Sequence, residues 1–458
     1  MRAQYCLAQL VFNSYRCRLP KFPLSAVFIV ALTRRESECH CCFARGAVER
    51  AGRRRRTTPF DGLRPPVRAV PKLRRYSCRR MLGYVGAAAF VVVPASLWIY
   101  SKLMSRKPQV YAKKDGELLA RVKKNLPVLQ EVYTLPWWYP FGDAQTIVSG
   151  AIRKCPSLPF VREVIEFADG GALGVDWLYS EDCPDDAPIV LFLPGITGST
   201  KDCSYILYPA QEMYKRNWRV LVYNPRGLGG VTLRNRIAYN SVRHHDVAEV
   251  IQRVSSRYPK AKMFGCGFSM GGMVLLNYLA TCTAETAVLS GALVVSAPFD
   301  PHSTTSSLEK FFAKNTYNRL LTKKLVGFAE RYREHYENHE MMDFNNVLKS
   351  VTIREFDTRF TAPLFGYDSV DHYYDHAAPN KKVKKIPIPT LCLNADDDCF
   401  SPYDGIPREE MSESETVIGV ITRGGGHTAF MRTANPNQGS LVDQILIEWT
   451  NMLVNDLH

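Results

Sequence analysis

Acidic side chains are nearly missing from one end of this 458-residue chain. Residues 1–80 hold four, Glu36, Glu38, Glu49 and Asp61, against 19 Lys and Arg, and that excess accounts for the whole formal charge of +15. The remainder carries 40 bases and 40 acids and is neutral. Binding a phosphate backbone needs a concentrated basic surface, so the body of the protein does not read as a nucleic-acid binder. Long apolar runs are also missing, with one exception, and a mean hydropathy of −0.18 excludes a polytopic transporter. Hydrophobic residues at 46% and charged residues at 22% exclude a wholly disordered, collagen-like or coiled-coil chain. Patterned cysteines are missing too. Six of the 13 lie in residues 1–80, and Cys155, Cys183, Cys203, Cys266, Cys282, Cys392 and Cys399 are scattered singly, which is not a disulfide framework. Cys39-His40-Cys41-Cys42 lacks the second half-site of a tetrahedral zinc centre, so no metal is expected there; S-acylation is the alternative. No internal repeat is visible.

The residues that are present fall into four segments. Residues 1–81, with the run Arg53-Arg54-Arg55-Arg56 among Gly, Thr and Pro, read as a basic, solvated and disordered tail. Residues 82–101 form the one exception among the apolar runs: 20 residues without charge. As a helix this stretch is about 30 Å long, the thickness of a bilayer's hydrocarbon core. Tyr84 near one end and Trp98 and Tyr100 near the other match an aromatic belt, and Pro94 is tolerated in a membrane helix. A single transmembrane helix is therefore expected, with the protein integral to a membrane such as the endoplasmic reticulum or another endomembrane. Basic residues flank both ends; the arginines further upstream favour a cytosolic N-terminus. Residues 102–160 read as a linker and an N-terminal extension of the domain at 161–458. Within it, Leu135-Pro136-Trp137-Trp138-Tyr139-Pro140 is rich in amphipathic rings suited either to a membrane interface or to packing on the domain.

Residues 161–458 alternate strand and helix patterns. A hairpin is expected over 161–167 and 172–179. Buried strands are expected at 188–193, 219–223, 261–266, 291–296, 388–394 and 416–421, and helices at 203–216, 241–257 and 441–453. Continuous apolar strands alternating with helices predict an α/β fold with a mostly parallel central sheet covered on both faces. Residues 302–386 are too long for one crossover. Leu308, Phe311, Phe312, Leu320, Leu321, Leu325 and Phe328 suggest helices with apolar faces, forming a helical cap.

The chemistry centres on Gly267-Phe268-Ser269-Met270-Gly271-Gly272, between an apolar strand and a helical pattern. That context is what a nucleophile elbow requires: a sharp turn lifts the serine out of the sheet, and small residues beside it avoid collision. A serine needs a base, and the base needs an orienting acid. Both come later in the chain in that order, each after a strand: Asp396-Asp397-Asp398 supplies acids, then Gly424-Gly425-Gly426-His427 supplies the base. Asp398 fits the acid best, Asp397 next, and Asp396 reads as solvated or structural. An oxyanion needs two backbone N–H donors. The Met270 N–H, directly after the serine, is one candidate. The Ile196 N–H, in the loop Pro194-Gly195-Ile196-Thr197-Gly198, is the other.

With these motifs assembled, the sequence resembles the α/β-hydrolase superfamily. More narrowly, it resembles the membrane-anchored group of α/β-hydrolase domain-containing proteins 1 and 3, which is related to yeast medium-chain ethyl ester synthases. Further matching stretches are Phe167-Ala168-Asp169-Gly170-Gly171, Asp176-Trp177, Leu193-Pro194-Gly195-Ile196-Thr197-Gly198-Ser199, Tyr223-Asn224-Pro225-Arg226-Gly227, Leu393-Asn394-Ala395 and, upstream, Pro136-Trp137 and Gln145-Thr146. The similarity spans residues 120–455; residues 1–81 have no counterpart. The resemblance implies a Ser269–His427–Asp398 triad and a serine carboxylic ester hydrolase on acyl lipids, with a phospholipase on phosphatidylcholine-type substrates preferred. It implies lipid-ester and bilayer partners and no cofactor. Cys399 after the acid departs mildly from the group's pattern. The alternatives are acyl transfer to alcohols and a non-catalytic lipid-binding protein. No histidine has an aspartate five residues on, a motif of some acyltransferases of this fold.

Overall fold

The computed structural model describes residues 76–455, with side chains from residue 90 onward. The expectations for residues 1–75, including the cysteine cluster and the arginine run, lie outside the described residues. The chain divides after Ser96 into two units. Helix α1, Tyr76–Met104, contains Pro94 and covers the whole stretch expected to span a bilayer. Among the described residues no helix is long and apolar enough to cross a membrane. The fold therefore gives no support to a transmembrane helix at residues 82–101. Phe90, Val91 and Val92 of this helix are exposed.

The second unit is built on a nine-stranded sheet in the order β1-β9-β8-β7-β6-β4-β5-β3-β2. Its strands are β1 Gln109–Tyr111, β2 Val161–Glu166, β3 Ala172–Leu178, β4 Ile189–Leu193, β5 Arg219–Asn224, β6 Met263–Phe268, β7 Gly291–Val295, β8 Thr390–Ala395 and β9 Val417–Thr422. Strands β4 to β9 pair in parallel, while β1, β2 and β3 join antiparallel. The expected strands all occur, each boundary within two residues. Strand β1 is the exception: it lies in the presumed linker, is three residues long, and pairs at the edge with Gly419, Val420 and Ile421. So short an edge strand leaves no apolar run to read.

Period-two alternation divides the buried strand residues between two cores. Val190 and Phe192 face one core, with Leu293, Val295, Leu391 and Leu393. Helices α2 Glu117–Asn125, α3 Ser204–Tyr214 and the C-terminal Leu441–Asn455 cover that face. Ile189, Leu191, Leu193, Ala292 and Val294 face the other core, under helices His245–Arg257 and Met270–Leu279. Burial on both faces explains the uninterrupted apolar strands.

The segment after β7 is helical, with Pro301–Leu308, Arg319–Arg331 and Val370–Ala377 its longest helices. Its own core joins Ala329, Tyr332, Tyr336, Phe344, Val347, Phe356 and Phe360. Two expected cap residues behave differently: Phe311 is 80% and Phe312 40% exposed. They belong to a three-residue helix, Phe311–Ala313, in which only Ala313 is buried. The ring-rich extension packs on the domain. Tyr139 is buried with Ala429 and Met431, and Trp138 Nε1 donates to Ala434 O at 2.8 Å, while Trp137 stays exposed.

Candidate active site

The strand–turn–helix at the centre of the sheet sets Ser269. Strand β6 ends at Phe268 and a helix begins at Met270, leaving Ser269 at φ +53°, ψ −123°. A left-handed backbone is costly for a residue with a side chain, and neighbours must hold it. The Ser269 N–H donates to Val295 O at 2.9 Å. The glycines are sterically required: a Cβ at Gly267 would lie 2.7 Å from Gly271 O, and one at Gly271 would lie 2.4 Å from Leu193 O.

His427 Nε2 lies 2.8 Å from Ser269 Oγ. Its Nδ1 lies 2.9 Å and 3.1 Å from the two carboxylate oxygens of Asp398. Asp398 is 3% exposed, and Oδ1 also accepts the Phe400 and Ser401 N–H groups at 2.8 Å and 3.3 Å. The adjacent aspartates take other partners. Asp396 Oδ1 accepts the Gly424 N–H at 2.8 Å, and Asp397 Oδ1 accepts the Gly426 N–H at 2.9 Å. One aspartate thus meets the imidazole and the other two brace the loop that carries it. The Phe400 ring stacks on His427 with centroids 4.2 Å apart.

Ile196 and Met270 border the same cavity as Ser269. Met270 opens its helix, so its N–H has no intrahelical acceptor. In the Ile196 loop, the Gly195 N–H is taken by Tyr205 Oη at 3.1 Å and the Gly198 N–H by Gly195 O at 2.9 Å. The cavity runs from Ser269 into the cap between Met273, Leu308, Leu325, Phe328 and Phe360, with Asp357 also in its wall. Burial pushes the Asp357 carboxyl up to about 6, against the opposing pull of Thr361, Tyr374 and Arg354. Among the described residues, no group of His, Cys, Asp and Glu could hold a metal ion. Tyr205 and Phe400 are not legible as site residues in the sequence; neither sits in a pattern that announces a role.

A family model described as "Serine aminopeptidase, S33" matches residues 186–415. The Caenorhabditis elegans protein abhd-3.2 is 47% identical over 366 residues, covering 80% of this chain and 97% of that protein. The chain belongs to the α/β-hydrolase family. This hydrolase is also 34% identical over 384 residues to human "Phospholipase ABHD3", covering 82% of this chain and 90% of the relative. A Saccharomyces cerevisiae "Monoacylglycerol lipase" is 28% identical over 266 residues, covering 56% of this hydrolase and 58% of the yeast protein. By family it is a serine hydrolase.

Proposed function

We propose that this chain is a membrane-anchored serine carboxylic ester hydrolase acting on acyl lipids, phosphatidylcholine-type phospholipids foremost. The 2.8 Å approach of His427 Nε2 to Ser269 Oγ carries the reading. Ser269 Oγ attacks the ester carbonyl carbon while its proton passes to His427 Nε2. Asp398 holds the imidazole tautomer and stabilises the imidazolium. The Met270 and Ile196 N–H groups receive the developing oxyanion. Collapse of the adduct breaks the ester C–O bond; Nε2 returns the proton to the leaving alcohol, and the acyl group stays on Ser269. Water, deprotonated by Nε2, then attacks the acyl carbonyl, frees the fatty acid and restores the serine.

An apolar cavity ahead of Ser269 suits an acyl chain. Similarity to proteins named phospholipase and monoacylglycerol lipase favours lipid esters over peptides. The uncharged run at 82–101 and the exposed Phe90, Val91 and Val92 support anchorage in an endomembrane, where such esters partition.

The test is to incubate detergent-solubilised full-length protein, wild type and Ser269→Ala, with phosphatidylcholines of short, medium and long chains. Fatty acid and lysolipid release is measured. Release by wild type alone is expected. Equal release by the Ser269→Ala variant rejects the mechanism. Absence of release by wild type, together with silence on neutral esters and added alcohols, rejects the enzyme assignment.

A further inference from the structure

The loop that presents His427 is closed by its own Phe430 N–H to Gly425 O bond at 3.0 Å and is held further from outside. Gly424, Gly425, Gly426, Thr428 and Phe430 all have positive φ. The glycines adopt this backbone freely, but Thr428 at φ +57° and Phe430 at φ +44° are strained, and such strain persists only when the surroundings over-determine it. Besides Asp396, Asp397 and Ser296 Oγ, which accepts the Thr428 N–H at 3.0 Å, a grip comes from a helix far upstream, Gly142–Ile147. The His427 N–H donates to Thr146 Oγ1 at 2.8 Å. The Thr146 hydroxyl in turn donates to Gly142 O at 2.8 Å, so its hydrogen is committed and its oxygen is turned to His427. The two backbones touch: a Cβ on Gly426 would lie 2.2 Å from Gly142 O and 2.6 Å from Thr146 Oγ1. One residue before Thr146, Gln145 Oε1 accepts the Met431 N–H at 2.9 Å, and the Tyr133 hydroxyl donates to Met431 O at 2.9 Å. The clasp is itself tied to the end of helix α1. The Ser101 hydroxyl donates to Leu135 O at 2.6 Å, and the Leu135 N–H donates to Ser105 Oγ at 3.0 Å.

We propose that Thr146 is a positioning residue for His427, and that the segment between strands β1 and β2 belongs to the active-site machinery. It acts through the histidine backbone and does not touch substrate. The matched family segment, residues 186–415, contains neither Thr146 nor His427, so this is an arrangement of the chain beyond that segment. The inference rests on the proposed roles of Ser269 as nucleophile and His427 as base. A nucleophile–base pair displaced by about 1 Å loses about a hundredfold in rate, so a single hydroxyl here has leverage.

The test uses detergent-solubilised full-length wild type, Thr146→Val and Thr146→Ser. Three quantities are read: the rate of covalent labelling by a fluorophosphonate probe, kcat and KM on a soluble short-chain nitrophenyl ester, and Tm. Thr146→Val, similar in shape but without the hydroxyl, is expected to lower labelling and kcat by about ten- to a hundredfold with KM nearly unchanged. Thr146→Ser, which keeps the hydroxyl, is expected to restore both. Wild-type labelling by Thr146→Val overturns the proposal, as does a Thr146→Ser loss as deep as that of Thr146→Val. Should Thr146→Val fail to fold, Thr146→Ala takes its place, and its labelling at the wild-type rate overturns the proposal equally. A wild type that the probe does not label rejects the serine-nucleophile reading itself, and the positioning role falls with it.

Discussion

Phe400 lies against the imidazole of His427, ring centroids 4.2 Å apart and planes 29° from parallel. The same residue donates its N–H to Asp398 Oδ1 and packs with Leu308 and Ala313 of the cap. It therefore joins the base, the acid and the cap in one contact. Phe400→Ala removes the ring but keeps the N–H. It is expected to cost about 3 kcal/mol of stability through the cavity left behind. It should also lower kcat more than Phe400→Leu does, because leucine still fills the space beside the imidazole with an apolar side chain. Urea midpoints and kcat on a soluble ester check both outcomes; equal kcat for the two variants would count against a role in holding His427.

Anchorage gives a prediction independent of catalysis. Phe90, Val91 and Val92 face solvent on helix α1, and large exposed apolar side chains in sequence mark a surface meant to be covered. Full-length protein expressed in cells is expected to stay in the membrane pellet after alkaline carbonate washing. Release into the supernatant would sink the proposal of membrane anchorage, while leaving the ester-hydrolase reading intact.

Legibility in the sequence depends on the range of the interaction. The elbow around Ser269 is legible because its requirements are local: a strand, glycines and a helix within a few residues. The central strands are legible because burial on both faces leaves continuous apolar runs. The acid is only partly legible. Asp396, Asp397 and Asp398 share one post-strand loop, and its path decides which carboxylate meets His427. Thr146 is legible only as part of the matching stretch Gln145-Thr146; its bond to a residue 281 positions away leaves no sign in the sequence. Phe311 and Phe312 mislead for the opposite reason: their apolar character suggests a buried face, but their three-residue helix turns only Ala313 inward.

Asp357 gives the cavity a pH dependence. Its carboxylate accepts the Thr361 hydroxyl at 2.7 Å and the Tyr374 hydroxyl at 3.0 Å, and burial raises it to about 6. Below that value the group is neutral; above it the group is charged. An acyl chain laid in the cavity strips water from the group, which is costly mainly for the charged form. The KM of a long-chain ester relative to a short-chain one is therefore expected to rise as pH passes upward through about 6. Taking the ratio cancels pH effects on catalysis that are common to both substrates. In Asp357→Asn the step should vanish. The linkage to stability has the same direction: the contribution is complete below the ordinary carboxylate range and is lost as pH rises through about 6.

The three adjacent aspartates allow the acid to be assigned by substitution. Asp398 Oδ1 and Oδ2 both lie within 3.1 Å of His427 Nδ1, whereas Asp397 accepts the Gly426 N–H. An asparagine at 398 keeps the shape but removes the charge that holds the Nδ1–H tautomer, so Asp398→Asn is expected to cut kcat by about a thousandfold or more. An asparagine at 397 still offers a carbonyl oxygen to Gly426, so Asp397→Asn should lose at most about tenfold, by loop displacement alone. Fluorophosphonate labelling should show the same order, since it depends on the same activated serine. The reverse order, with Asp397→Asn the more damaging, would move the acid to Asp397. Equal and small losses would mean that His427 is held by its backbone and by Phe400, and that its orientation needs no carboxylate.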